Sequence, residues 1–341
     1  MGVVFTGCAL AQRRLAAQAP ASKRRVVTVG GQRIRTIDIH AHVIIPEATE
    51  MMGVKTAPNN SSVIGPQTAD ARFHTMDEWG TDMQALSINA NWYGVDQNVA
   101  TKMIDVQNKA LAGIVAKYPD RFVALASVAL QFPELAAQQL EEGVKKYNLR
   151  GAAIGGHVNG DECSHPKFDP FWKKAEELGV VVFMHPQGIP EMDKRFAGKG
   201  FLSNTIGNPL ETTIFLSHLI FDGTLDKFPG LKICAAHSGG YLPSYSARSD
   251  YACTRAPEGC QGMKKKPTDY LRQLYYDSMV FTPEGLRHLI AETGVSQIMI
   301  GTDYPFPWST TTVDHILNTP GLSDADKRAI LGGNAAKLLK L

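Results

Sequence analysis

The chain has 341 residues, 44% of them hydrophobic and 20% charged, enough for one large core or two small ones, which excludes disordered, collagen-like and disulfide-framework chains. Thirty-five Lys and Arg face 33 Asp and Glu, a net charge of +2 with no basic block beyond Lys264-Lys265-Lys266, so no nucleic-acid partner is expected. No apolar run reaches the roughly 18 residues of a membrane span, so no membrane-spanning segment is expected either.

Residues 1–32 read as a flexible arm, with Ala, Gln, Arg, Lys and Ser in no helical or strand period. Its apolar start, Gly2 to Ala11, resembles the remnant of an export signal, but Arg13 and Arg14 follow the apolar run instead of preceding it. A cytoplasmic location is expected, with the periplasm as the alternative if that segment belongs to an export signal. From residue 33 to 341 the chain reads as one domain. Short apolar, β-branched runs recur at Thr36 to Ile44, Gln84 to Ala90, Phe122 to Leu130, Gly151 to His157, Val180 to His185, Lys232 to His237, Leu274 to Met279 and Gln297 to Asp303. Between them, three-and-four spacing predicts helices over Asn98 to Tyr118, Glu134 to Tyr147, Pro209 to Phe228 and Pro283 to Thr293. Eight β–α alternations with fully apolar strands such as Val180 to Met184 predict a parallel sheet closed into a (β/α)8 TIM barrel. An open doubly wound sheet is the alternative, weakened by the lack of G-x-G-x-x-G after the first strand. Three Gly-, Pro- and Asn-rich stretches, 46–69, 187–208 and 253–268, follow strand ends, where a barrel builds its active site.

Asp38-Ile39-His40-Ala41-His42 ends the first strand. Alternation along a strand puts His40 and His42 on one face and turns Ile39 and Ala41 toward the helices. His185, His237 and Asp303 end the fifth, sixth and eighth strands, and His157 ends the fourth. Imidazoles and a carboxylate gathered at strand ends suit a divalent ion or acid–base work. Asp38, two residues before His40, either orients an imidazole or accepts backbone donors. The five cysteines, Cys8, Cys163, Cys234, Cys253 and Cys260, are odd in number without a C-x-x-C pair, which predicts reduced thiols. Cys234 reads as a small buried apolar residue rather than a nucleophile.

H-x-H after strand one, His after strands five and six, and Asp after strand eight resemble the metal site of the amidohydrolase superfamily. Met76 to Asp82, His185-Pro186, His237-Ser238-Gly239-Gly240 and Gly301 to Pro307, with the closing Gly333 to Leu338, are similar to its aminocarboxymuconate-semialdehyde decarboxylase-like branch. The resemblance implies one zinc, with manganese as the alternative, held by His40, His42, His185 and Asp303, with His237 and Asp303 as acid–base groups. Two-metal members carry a carboxylated Lys on strand four, and Gly151 to His157 contains none. Arg248 matches an arginine that reaches a neighbouring subunit's site to hold a substrate carboxylate, which implies a homodimer; pairing with Asp250 is the surface alternative. His157 and Phe306 are further substrate candidates, and Trp308 reads with Phe306 as an apolar wall. The loop arginine that such decarboxylases carry after strand one has no counterpart in 59–66, where Arg72 is the nearest, and Gln187 replaces their aromatic residue after His-Pro. The implied activity is metal-dependent, non-oxidative decarboxylation of an aromatic or unsaturated carboxylic acid. Hydrolysis of an ester, lactone or amide, or hydration, is the alternative on the same barrel.

Overall fold

The computed structural model describes residues 24–306, 308 and 311–341. Eight parallel strands follow the sequence order: β1 (Ile37–His42), β2 (Met83–Ser87), β3 (Phe122–Ala124, resuming at Ala126–Ser127), β4 (Gly151–Ile154), β5 (Val181–Met184), β6 (Lys232–Ala235), β7 (Tyr275–Asp277) and β8 (Ile298–Met299). Leu125, between the two pieces of β3, donates its N–H to the Leu86 carbonyl and keeps that strand on β2. The ring closes between β8 and β1. Ile39 N donates to Ile300 O, Asp303 N to His40 O and His42 N to Tyr304 O, and Ala41 bridges Tyr304 in parallel. These bonds make the predicted barrel and exclude the open sheet, whose outer strands would carry unpaired edges.

Strand alternation divides the core in two. Ile37, Ile39, Met83, Ala85, Val123, Leu125, Ala153, Val181, Phe183, Cys234 and Met299 pack together inside the barrel. Their neighbours Leu86, Ala124, Ala152, Val182 and Ile233 pack outward against helices. Those helices include α1 (Ala69–Trp79), α2 (Gln97–Lys117), α3 (Pro133–Lys145), α4 (Asp169–Leu178), α5 (Asn208–Phe221) and α7 (Pro283–Thr293), whereas α6 (Ala247–Arg255), between α5 and α7 in the chain, buries none of its residues. The Asp96 carboxylate caps α2 by accepting from Asn98 N and Val99 N, and Thr282 caps α7 through Gly285 N. None of the described helices is long and apolar enough to cross a membrane.

Three expectations change. The arm predicted over 1–32 does not hold at its end, because Thr28–Val29 and Gln32–Arg33 form an antiparallel hairpin around Gly30-Gly31 and bury Val27 and Val29. Such two-residue strands leave no period to read, and only the Gly-Gly turn marks them. The export-signal segment and Cys8 lie outside the described residues. Ile39 does not face the helices: β1–β2 pairing shifts register between Asp38 and Ala41, and this bulge turns both Ile39 and His40 inward. The cysteines are not all reduced, since Cys253 and Cys260, at the end of α6 and in the turn after it, form a disulfide; Cys163 and Cys234 are free and buried.

Candidate metal centre

The carboxyl ends of β1, β5, β6 and β8 deliver His40, His42, His185, His237 and Asp303 to one point. Asp303 Oδ1 lies 2.8 Å from His42 Nε2, 3.1 Å from His40 Nε2 and 3.9 Å from His185 Nε2. His237 Nε2 is 3.9 Å from Asp303 Oδ2, and the Nε2 atoms of His40 and His42 are 3.1 Å apart. Ligand-capable atoms of His40, His185, His237 and Asp303 all fall within 4.8 Å of one another.

The other nitrogen of each imidazole decides what this cluster can hold. His40 Nδ1 is 2.7 Å from Asp277 Oδ2, His42 Nδ1 is 3.2 Å from Ser87 Oγ, and His185 Nδ1 is 2.9 Å from the Pro186 carbonyl. Asp277 and the Pro186 carbonyl are pure acceptors here, and the Ser87 hydroxyl donates to the Ala41 carbonyl, leaving its lone pairs for His42. Each Nδ1 therefore carries the proton, and three Nε2 lone pairs meet the Asp303 carboxylate. His185 Nε2 is buried with no hydrogen-bond partner at all. Lone pairs packed this closely repel unless a cation lies among them, and three imidazoles with a carboxylate form a donor set that fits a divalent ion.

The electrostatics agree. Burial disfavours a charged His40, yet the carboxylates of Asp303 and Asp277 outweigh it and push this imidazole up to about 10. Burial lowers His42, and burial with the neighbouring imidazoles holds His185 well below the usual range. Burial works against an ionised Asp303, but His40, His237 and His42 hold it well below the usual carboxylate range. The cluster thus offers an ionised carboxylate and neutral imidazoles at His42 and His185, while His40, held protonated by its two carboxylates, must give up its Nε2 proton to a binding cation.

Asp277 was not legible as a functional residue in the sequence, although it ends β7 and Asp303 follows β8. Wholly buried, it orients the His40 ring and accepts from His237 N at 2.8 Å and Ser238 N at 2.7 Å. One carboxylate thereby fixes a ring of the cluster and the turn that presents His237. That turn is left-handed at His237 and Ser238, as is Asp303, with φ of 53°, 58° and 58°. Gly301 is needed beside them, because a Cβ there would meet Asp277 Cβ at 2.7 Å and His40 Cβ at 3.0 Å.

The outer residues sort differently from expectation. Phe306 stays at the mouth, its ring 5.9 Å from His42, and Trp308 stacks on Phe201 from the 187–208 stretch. His157 Nδ1 accepts from Gly160 N and its Nε2 donates to the Gly188 carbonyl, so the ring braces a loop beside the site. Arg72 is no substrate arginine either, being fully buried with Nη1 on the His42 carbonyl. Asp38 accepts the backbone N–H of His40 and touches no imidazole. Arg248 is exposed over the Tyr245 ring, and no carboxylate among the described residues pairs with it; Asp250 accepts instead from Thr268. Gln187 fills the place of the missing aromatic by donating its amide to the Ala90 carbonyl.

A family model described as Amidohydrolase matches residues 37–341. Over 287 residues the chain is 32% identical to gamma-resorcylate decarboxylase of Polaromonas sp. strain JS666, covering 80% of this chain and 87% of that protein. It is 30% identical over 276 residues to 2-amino-3-carboxymuconate-6-semialdehyde decarboxylase of Dictyostelium discoideum, covering 80% and 76%. Among solved structures, a dihydroxybenzoic acid decarboxylase from Polaromonas sp. JS666 with bound manganese and 2-nitroresorcinol superposes with a TM-score of 0.79 at 29% identity, covering 90% of this chain and 97% of that one.

Proposed function

Since the chain belongs to the amidohydrolase family, we propose that it is a metal-dependent carboxy-lyase that removes CO2 non-oxidatively from an aromatic or unsaturated carboxylic acid. The observation that carries this reading is the convergence of three Nε2 lone pairs on the Asp303 carboxylate, with every opposing Nδ1–H already committed. His40, His42, His185 and Asp303 are the ligands of one divalent ion, and the absence of a lysine on β4 supports one ion rather than two. The nitrogen-rich set suits zinc. Manganese, the metal of the Polaromonas structure, is the alternative, and elemental analysis of protein purified without added metal separates them.

Bound there, a divalent cation supplies positive charge where electron density builds on the substrate's oxygens. The chain's own residues manage the proton. His237 Nε2 and Asp303 Oδ2 lie together at the cluster, and a proton held by this pair passes to the substrate carbon that carries the carboxylate. As the bond to the carboxylate carbon breaks, its electron pair stays with the former site of attachment, a C–H bond replaces it, and CO2 leaves. Phe306 walls the mouth, and Arg248, unpaired with any described carboxylate, holds the substrate's acid group in the site of a second copy, making the enzyme a homodimer. The ligands and acid–base groups all come from one barrel, so the catalytic unit is a single domain. The Cys253–Cys260 disulfide favours the exported, periplasmic alternative over the cytoplasm.

Incubating the metal-loaded protein with a panel of hydroxybenzoates and unsaturated diacids, and measuring CO2 against product, tests the reading. We expect CO2 in step with the decarboxylated product. Hydrolysis of lactones or esters with no CO2 from any acid would overturn it.

A further inference from the structure

Behind β1, on the side away from the imidazoles, four buried polar residues form a continuous chain. Arg72 of α1 is 1% exposed; its Nη1 donates to the His42 carbonyl at 2.8 Å and its Nε to Gln84 Oε1 at 2.9 Å. Gln84 Nε2 donates to Asp38 Oδ2 at 3.0 Å. Asp38 also accepts from His40 N at 3.0 Å, Thr302 N at 3.1 Å and Thr302 Oγ1 at 2.6 Å. A guanidinium at one end and a carboxylate toward the other are thus bridged by an amide, and each end holds backbone that carries a ligand.

The bulge explains why this is needed. It displaces His40 N from the ladder between β1 and β2, and the strand ends at His42, leaving a donor and an acceptor without sheet partners. Asp38 takes the donor and Arg72 takes the acceptor. Thr302 ties the same carboxylate to the residue preceding Asp303. A site that only needed filling would hold an aliphatic side chain. Here a charged group is kept in the core, clamped between the rings of Tyr304 at 4.4 Å and Phe122 at 5.5 Å, with its Nη2 lacking any acceptor.

We propose that Arg72, acting through Gln84 and Asp38, is a positioning residue that sets the spacing of the metal ligands by pinning the backbones of His40, His42 and Thr302-Asp303 from outside the barrel. Ligand atoms about 3 Å apart tolerate little drift, and support from beyond the ligands controls metal affinity as strongly as tenfold or more. The inference rests on the metal reading of the cluster and concerns residues that touch neither ion nor substrate.

The test is Mn(II) affinity, read from the electron paramagnetic resonance signal of free Mn(II), beside the melting temperature of the metal-free protein. We expect Arg72→Met and Thr302→Val to weaken Mn(II) binding at least tenfold while the metal-free melting temperature stays near that of the parent. Thr302→Ser, which keeps the hydroxyl, should bind like the parent. Should Arg72→Met not fold, the Val and Ser pair at 302 decides alone. Equal affinities for that pair, or losses that merely follow the melting temperature, overturn the brace. A parent that binds no Mn(II) overturns the metal reading beneath it.

Discussion

His40 Nδ1 lies 2.7 Å from Asp277 Oδ2, with both side chains wholly buried, so the ring that begins the metal cluster is oriented by an acid from the opposite side of the barrel closure. The same carboxylate receives the backbone N–H groups of His237 and Ser238. Asp277→Asn sets an amide N–H against one of these donors and frees the His40 ring to turn. We expect metal affinity and kcat to fall by about 10- to 100-fold, as when other groups that orient ligand histidines are changed. Equilibrium dialysis with metal analysis checks the affinity, and parent-like binding would count against the role.

Gly301→Ala probes the same pair sterically. The added Cβ needs space held by Asp277 Cβ and His40 Cβ, and neither is the end of a flexible side chain. We expect about 1–3 kcal/mol of lost stability from the overpacking, together with metal loss. Urea denaturation of the metal-free and metal-loaded forms separates the two effects, because bound metal stabilises only a competent site.

Much of this was legible because barrel strands announce themselves by apolar runs and active-site residues gather at their carboxyl ends. His40, His42, His185, His237 and Asp303 were found that way. The register was not legible: the Ile37–His42 run alternates apolar and polar residues, and a bulge after Asp38 leaves no trace in that alternation, which therefore points Ile39 to the wrong face. Asp277 was hidden by its neighbours, since Tyr275-Tyr276-Asp277 reads as the plain end of a strand. Arg72 and His157 carry the residue types of a binding site, and only burial and partners show that one braces β1 and the other a loop. The C-x6-C spacing of Cys253 and Cys260 names no motif, and a turn after α6 brings them together.

Glu211 supplies a pH dependence away from the ligands. On α5, it accepts the N–H groups of Gln187 and Gly188, just beyond His185-Pro186, and burial raises it from 4.5 to about 7 although those donors pull it down. The folded protein holds this proton more tightly than the unfolded chain, so its contribution to stability declines as pH rises from about 4.5 through about 7. Glu211→Gln keeps a carbonyl oxygen for the two N–H groups and has no charge to bury. Thermal melts at about pH 5 and about pH 8 should show a smaller decline for the variant than for the parent, and equal declines would contradict this.

Arg248→Ala and His185→Ala test the shared site together. Each variant alone should be inactive, the first for want of a carboxylate clamp and the second for want of a ligand. Mixed by unfolding and refolding, random pairing gives one complete site in each hybrid dimer, so about a quarter of parental activity should return. No recovery in a mixture shown to contain hybrids places Arg248 outside the neighbouring site.

Anomalous diffraction at the manganese edge, from crystals of the Mn(II)-loaded protein, bears most directly on the central assignment. We expect one peak per chain, bounded by Nε2 of His40, His42 and His185 and by the Asp303 carboxylate. Two peaks, or a peak that leaves these four side chains unbound, would contradict it.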